Sequence, residues 1–261
     1  MNKLPIYQVD AFASKLFTGN PAAVCPLEDW LSDETLQAIA EENNLSETAY
    51  FVKNSDHFHI RWFTPNSEVD LCGHATLATA HVIFNHLGYK EELINFQCRS
   101  GKLMVKKSGE SLTMNFPTDK IKPLKSFEEL SQALGIEVKE AYQGVSDIMV
   151  VIESEDMLVK LKPDFRALKQ ASKRGVIVTA KGDNVDFVSR CFYPAVGIDE
   201  DPATGSAHTT MTPYWAKRLE KNNLVAVQLS PRSGKVHCTL LNDRVELSGQ
   251  AITYLEGTIS I

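Results

Sequence analysis

Apolar and polar positions alternate strictly over 57–64, with Phe58, Ile60 and Trp62 on one side and His59, Arg61 and Phe63 on the other. A period of two predicts a strand with one buried face. The pattern then changes. Ala75, Leu77, Ala78, Ala80, Val82, Ile83 and Phe84 leave almost no polar side, which predicts a helix buried on most faces, such as a central helix wrapped by a curved sheet. The same succession returns later in the chain. A strand expected over 186–193 ends at Phe192-Tyr193-Pro194 as the first ends at Phe63-Thr64-Pro65, an acidic loop follows, and Gly205 opens a second Ala- and Thr-rich helix as Gly73 opens the first.

The remaining pattern fills in around these two segments. Strands are expected over 4–12 and 21–27, joined through the turn-forming Thr18-Gly19-Asn20-Pro21. Ser32 or Asp33 caps a helix reaching about Asn44, with Leu36, Ile39 and Ala40 on one face. Further strands are expected over 47–53, 93–98, 102–107 and 111–116. In the second half, Ser126 and Glu129 form a capping box, strands near 142–152 and 175–180 flank an amphipathic helix over about 164–173, and 224–261 reads as a run of hairpin strands. Pro213 is expected to remove one hydrogen bond from the second glycine helix, and so to kink it or end its first segment.

Two landmarks share one offset. Gly73 and Gly205 lie 132 positions apart, and Arg-Ser-Gly-Lys occurs at Arg99 and again at Arg232, 133 positions on. A period this long implies two sister domains rather than a solenoid. The expected division is 1–117 and 118–251, with 117–125 as linker and the last strand, near 252–261, a candidate to rejoin the first half. With 43% apolar and 23% charged residues, each half can bury its own core. A net charge of −6 without a basic block argues against nucleic acid and against anionic membrane surfaces. Five scattered cysteines without a Cys-x-x-Cys pair argue for a reducing compartment and against a structural zinc site. No 18-residue apolar run occurs, so the expected location is cytoplasmic.

The candidate chemistry gathers at the two helix starts. Unpaired backbone N–H groups and a partial positive charge there suit an anion. If the halves face one another, Gly73, His74, Gly205 and Ser206 would line a paired clamp, although either glycine alone also reads as an ordinary cap. His74 aligns with Ser206, so one half offers a titratable ring and the other a hydroxyl; a capping or core histidine is the plainer alternative. Cys72 aligns with Thr204, which argues against two opposed thiol bases and for Cys72 as a small buried residue. Glu47, between a helix end and an apolar strand, is either a solvated strand edge or, in a dry cleft, a proton shuttle. Asp201 is either a turn residue or a functional carboxylate.

Several segments carry a resemblance: 7–24 (YQVDAFASKLFTGNPAAV), 44–52 (NLSETAYFV), 60–80 (IRWFTPNSEVDLCGHATLATA), 114–117 (MNFP) and 197–208 (GIDEDPATGSAH). Together they resemble the phenazine biosynthesis PhzF-like family, within the diaminopimelate epimerase-like superfamily, and they span both halves. The resemblance implies two pseudo-symmetric α+β domains, each a curved, mostly antiparallel sheet wrapped around a central helix, with the active site between them. It implies a cofactor-independent isomerase acting on a small anionic carboxylate, without metal or organic cofactor, and a homodimer. It assigns the general acid/base to Glu47 and partner roles to His74, Asp201 and Ser206. Backbone donors at Gly73 and Gly205 would hold the substrate carboxylate, and Asn20 would line the site. An amino-acid or hydroxy-acid epimerase, and a metabolite-binding protein of the same fold, are the alternatives.

Overall fold

The structure is a computed structural model that describes residues 3–261. The described residues divide into two compact units, residues 3–115 with 248–261, and residues 116–247. The first contains β1 (Lys3–Ala11), β2 (Asn20–Leu27), α1 (Asp33–Asn43), β3 (Glu47–Lys53), β4 (Phe58–Phe63), β5 (Glu68–Val69), α2 (Gly73–Asn85), β6 (Leu93–Cys98), β7 (Gly101–Ser108) and β8 (Ser111–Pro117). The second contains β9 (Lys122–Pro123), α3 (Glu128–Leu134), β10 (Glu140–Gln143), β11 (Asp147–Val151), α4 (Glu155–Lys160), α5 (Phe165–Ala171), β12 (Gly175–Lys181), β13 (Phe187–Tyr193), β14 (Ile198–Asp201), α6 (Gly205–Leu219), β15 (Asn223–Gln228), β16 (Gly234–Leu241) and β17 (Arg244–Gly249). The last strand, β18 (Ala251–Ser260), returns to pair antiparallel with β1. No helix among the described residues is long and apolar enough to cross a membrane.

The two units repeat one pairing order. In the first, β1–β2 is antiparallel, β2–β3 parallel, β3–β4 and β4–β5 antiparallel, β4–β6 parallel and β6–β7 antiparallel. In the second, the same signs run through β10–β11, β11–β12, β12–β13, β13–β14, β13–β15 and β15–β16. Each unit also repeats one ion pair. Arg61 on β4 grips Glu68 on β5 with both arms, at 2.7 and 2.8 Å, and Arg190 on β13 grips Glu200 on β14 at 2.8 Å twice. The planar guanidinium fork fits a carboxylate in two parallel bonds, which fixes the loop that leads into each glycine helix.

The alternation over 57–64 places Phe58, Ile60 and Trp62 in the core, and α2 is buried at ten of its thirteen positions, as a wrapped central helix requires. Ser32 caps α1 by accepting from Thr35 N–H. Four expectations need correction, the last of them at Pro213. The capping box at Ser126 and Glu129 does not form, because α3 starts at Glu128 after an N-cap at Phe127, and the Ser126 hydroxyl turns to the Glu128 carboxylate instead. The strand expected over 142–152 is two strands with a turn at Gly144, whose N–H donates to Asp147 C=O at 2.8 Å. Between them and the expected helix lies a further short helix, α4, capped by Ser154.

Pro213 does not end α6, which runs unbroken to Leu219. A proline cannot donate to the carbonyl four residues earlier, here that of Thr209. That carbonyl accepts from the backbone N–H of Asp119 at 3.2 Å, and the Asp119 carboxylate accepts from Thr210 Oγ1 at 2.9 Å. The loop after β8 thus supplies the partner that the proline removes.

Candidate active site

Three chain segments of the first unit bring four of the singled-out residues together. Gly19 adopts φ +69° with a notional Cβ only 2.2 Å from Ala11 C=O, so only glycine fits the turn that sets Asn20 at the head of β2. Asn44, left-handed at φ 48°, closes α1 and releases the chain into β3 at Glu47. Cys72 is the N-cap of α2 and makes no side-chain cap bond, leaving the helix start at Gly73 and His74 rich in free donors. Asn20 is fully buried and His74 is 6% exposed.

His74 has contacts on both ring nitrogens. Its Nε2 lies 3.0 Å from Glu47 Oε2, a close charge contact in which neither atom has an aligned hydrogen-bond partner among the described residues. Catalytic pairs in ligand-free proteins are often misaligned in this way. Its Nδ1 lies 3.3 Å from Asn20 Nδ2 and 3.5 Å from Cys72 Sγ. Burial alone pushes the imidazole down, but Cys72 and the Glu47 carboxylate outweigh it and hold His74 well above its ordinary value. Burial pushes the Cys72 thiol up, and the Glu47 charge adds to this. A protonated thiol carries no charge, so Glu47 is the group that stabilises a second proton on the ring when one is taken up.

Glu47, Cys72 and His74 also form a group whose potential ligand atoms lie within 4.8 Å of one another. Their contacts fall on opposite ring nitrogens, sulfur on Nδ1 and carboxylate on Nε2. A metal takes one nitrogen of an imidazole, so the arrangement fits a proton relay and not a chelate.

The second unit places Asp201, Gly205 and Ser206 at the start of α6, with Asp201 buried and Ser206 exposed. Thr204 Oγ1 donates to Asp201 Oδ2. Gln228, fully buried, pins this loop: its Oε1 accepts from Thr204 N–H at 2.8 Å and its Nε2 donates to Asp201 C=O at 2.6 Å. Gln228 gives no motif signal in the sequence; only the return of β15 beside β13 reveals it. One turn into α6, His208 Nδ1 bonds Thr204 C=O at 2.7 Å, and complete burial pushes the ring down to about 4.

That depressed value has a stability consequence. Between the unfolded value of 6.5 and about 4 the unfolded chain binds the extra proton, so the contribution of His208 is complete above pH 6.5 and is lost as pH falls through this window, up to about 3 kcal/mol in all. Urea midpoints measured from pH 7 to pH 4 should therefore fall more steeply for the native chain than for His208→Gln.

Register shows how the units differ. Thr48 pairs with Phe63 and Val176 with Phe192, the Phe of each Arg-x-Phe, so Glu47 corresponds to Gly175. A Cβ on Gly175 would stand 2.1 Å from the Tyr193 ring; that ring fills the place where the first unit carries its carboxylate. Asp147, paired with Gly175, corresponds to Ala22, paired with Glu47. Arg174 bonds Asp147 and lies 5.0 Å over the Tyr193 ring. The acid/base candidate is thus present in one unit only.

The comparisons agree with this architecture. The family model for phenazine biosynthesis-like proteins matches residues 9–257. The chain belongs to that family. An uncharacterized isomerase of Pseudomonas aeruginosa is 51% identical, covering 99% of this chain and 100% of the relative. The crystal structure of a phenazine biosynthesis protein of the PhzF family from Enterococcus faecalis superimposes with a TM-score of 0.97 at 47% identity, covering 100% of each chain. A hydroxyproline epimerase from Agrobacterium vitis, 8% identical, shares the fold at a TM-score of 0.63, covering 98% of this chain and 92% of that one. The fold is the α+β diaminopimelate epimerase-like one.

Proposed function

We propose that the protein is a cofactor-independent isomerase that moves a proton between carbons of a small carboxylate, with Glu47 carrying the proton. The observation that supports this most is the buried Glu47–His74 contact at 3.0 Å beside an uncapped helix start. A carboxylate placed on the N–H groups at Gly73 and His74 acidifies its neighbouring C–H by stabilising the charge that develops on deprotonation. Glu47 takes that proton and returns it to another carbon, while His74 compensates the change of charge. Asn20 lines the same place. The start of α6, beside Asp201 and with Gly205 and Ser206, carries backbone donors of the same kind within the second unit. Family relatives named as isomerases support the reaction class.

An epimerase with two opposed bases fits less well. Cys72 is held as a thiol, its counterpart Thr204 is tied to Asp201, and the counterpart of Glu47 is a glycine. The test is proton exchange in deuterated water with a panel of small carboxylates, including a dihydroxyanthranilate-type diene, followed by NMR. Label delivered to a second carbon from one face is the expected result. Inversion at the labelled carbon would establish the epimerase, and binding without exchange would establish a metabolite-binding protein.

A further inference from the structure

Ser46 directly precedes Glu47 and stands outside the roles assigned above. Its Oγ lies 3.2 Å from Asn20 Oδ1, and the other end of the same amide, Nδ2, lies 3.3 Å from His74 Nδ1. Ser46, Asn20, His74 and Glu47 therefore form one line of contacts that ends on the carboxylate. An amide N–H can only donate, so in this arrangement Nδ1 accepts and the ring proton sits on Nε2, facing Glu47.

A proton-transfer cycle requires His74 to adopt a second state. When both ring nitrogens carry protons, Nδ1–H points at the Asn20 amide N–H, donor against donor. The conflict disappears if the amide turns over and offers Oδ1, which brings Nδ2 to the Ser46 hydroxyl. A hydroxyl both donates and accepts, so Ser46 satisfies the amide in either orientation. We propose that Ser46 is a positioning residue which keeps the Asn20 amide turned to match the His74 ring, so that each protonation state of the cycle presents one defined tautomer to Glu47. This rests on the proton-carrying role proposed for Glu47. The titratable groups in contact with the ring are Glu47 on β3 and Cys72 at the helix start; neither is altered by changing Ser46.

The test uses the full chain labelled with ¹⁵N in its histidines, with His74 assigned by the signal lost in His74→Gln. The native protein should show Nδ1 unprotonated in the neutral ring. In Ser46→Ala the tautomers should mix, and kcat for proton exchange should fall about tenfold or more with KM little changed, because a misplaced proton affects the reacting state and not substrate binding. Ser46→Thr, which keeps the hydroxyl, should restore both readouts. Asn20→Asp, which offers only acceptors to Nδ1, should hold His74 doubly protonated. An unchanged tautomer in Ser46→Ala, or a folded Ser46→Thr that restores neither readout, overturns the proposal. The ring signals need no turnover, so they decide the relay even if no substrate exchanges and the role of Glu47 itself fails.

Discussion

Replacing Glu47 with glutamine should lower carbon–hydrogen exchange by about a hundredfold to ten-thousandfold, the range that a positioned general acid or base supplies, while the chain stays folded. Gln keeps the length and polarity of the side chain, so packing at the head of β3 is conserved. What disappears is the charge beside His74. In the native chain the imidazole is held above its ordinary value, so its contribution to stability is full below the unfolded value of 6.5 and is lost as pH rises through the folded one. Without the Glu47 carboxylate, burial dominates and the ring falls back towards the neutral form. The variant should therefore lose most stability below pH 6.5, where the His74 contribution is full, and progressively less as pH rises through the folded value. Exchange rates by NMR and urea midpoints at pH 6 and pH 8 separate these effects. Retention of exchange within tenfold would move proton transfer to another group.

The parts of this molecule legible in the sequence are those governed by local periodicity. The two-residue alternation of β4, the all-round apolar pattern of α2 and the cap at Ser32 each depend on residues within one element. The duplication was legible because the Gly73 and Gly205 helix starts, and the Arg-Ser-Gly-Lys segments at Arg99 and Arg232, recur at offsets of 132 and 133. What escaped depends on partners far along the chain. Pro213 reads as a helix breaker until Asp119 meets the freed carbonyl. Gln228 has no local signature, and it holds the loop of Asp201 only because β15 lies beside β13. The short helix α4, six residues long, has too few turns for a period to show. Within the site, Asn20, Glu47 and His74 sit on separate elements, and their convergence follows from parallel pairing of β2 with β3 above the start of α2. The correspondence of Glu47 with Gly175 is a fact of register, not of similarity between the residues.

The ion pair repeated in both units carries the largest expected effect on stability. Arg190 and Glu200 are 13% and 12% exposed, and the guanidinium also donates to the carbonyls of Leu161 at 2.7 Å and Leu158 at 3.2 Å while lying 5.1 Å over the Phe192 ring. It therefore satisfies a carboxylate and the end of α4 together. Arg190→Met keeps much of the apolar stem but leaves Glu200 without its counter-ion and removes the guanidinium donor from the carbonyls of Leu158 and Leu161. Removing one member of a buried pair costs about 3–5 kcal/mol, and salt should change this little because the pair is largely withdrawn from solvent. Removing the partner as well, in Arg190→Met with Glu200→Leu, should recover most of the loss, since no isolated charge is then buried. Recovery should stop short of the native value, because the Leu161 carbonyl loses its guanidinium donor and Leu158 C=O keeps only the Leu161 N–H at 3.3 Å in the double variant. Urea unfolding of the two single variants and the double variant gives the coupling directly. A loss below about 1 kcal/mol for Arg190→Met, typical of an exposed pair, would mean that water replaces the guanidinium at Glu200 and that the loop into α6 is held by Gln228 and Thr204 instead.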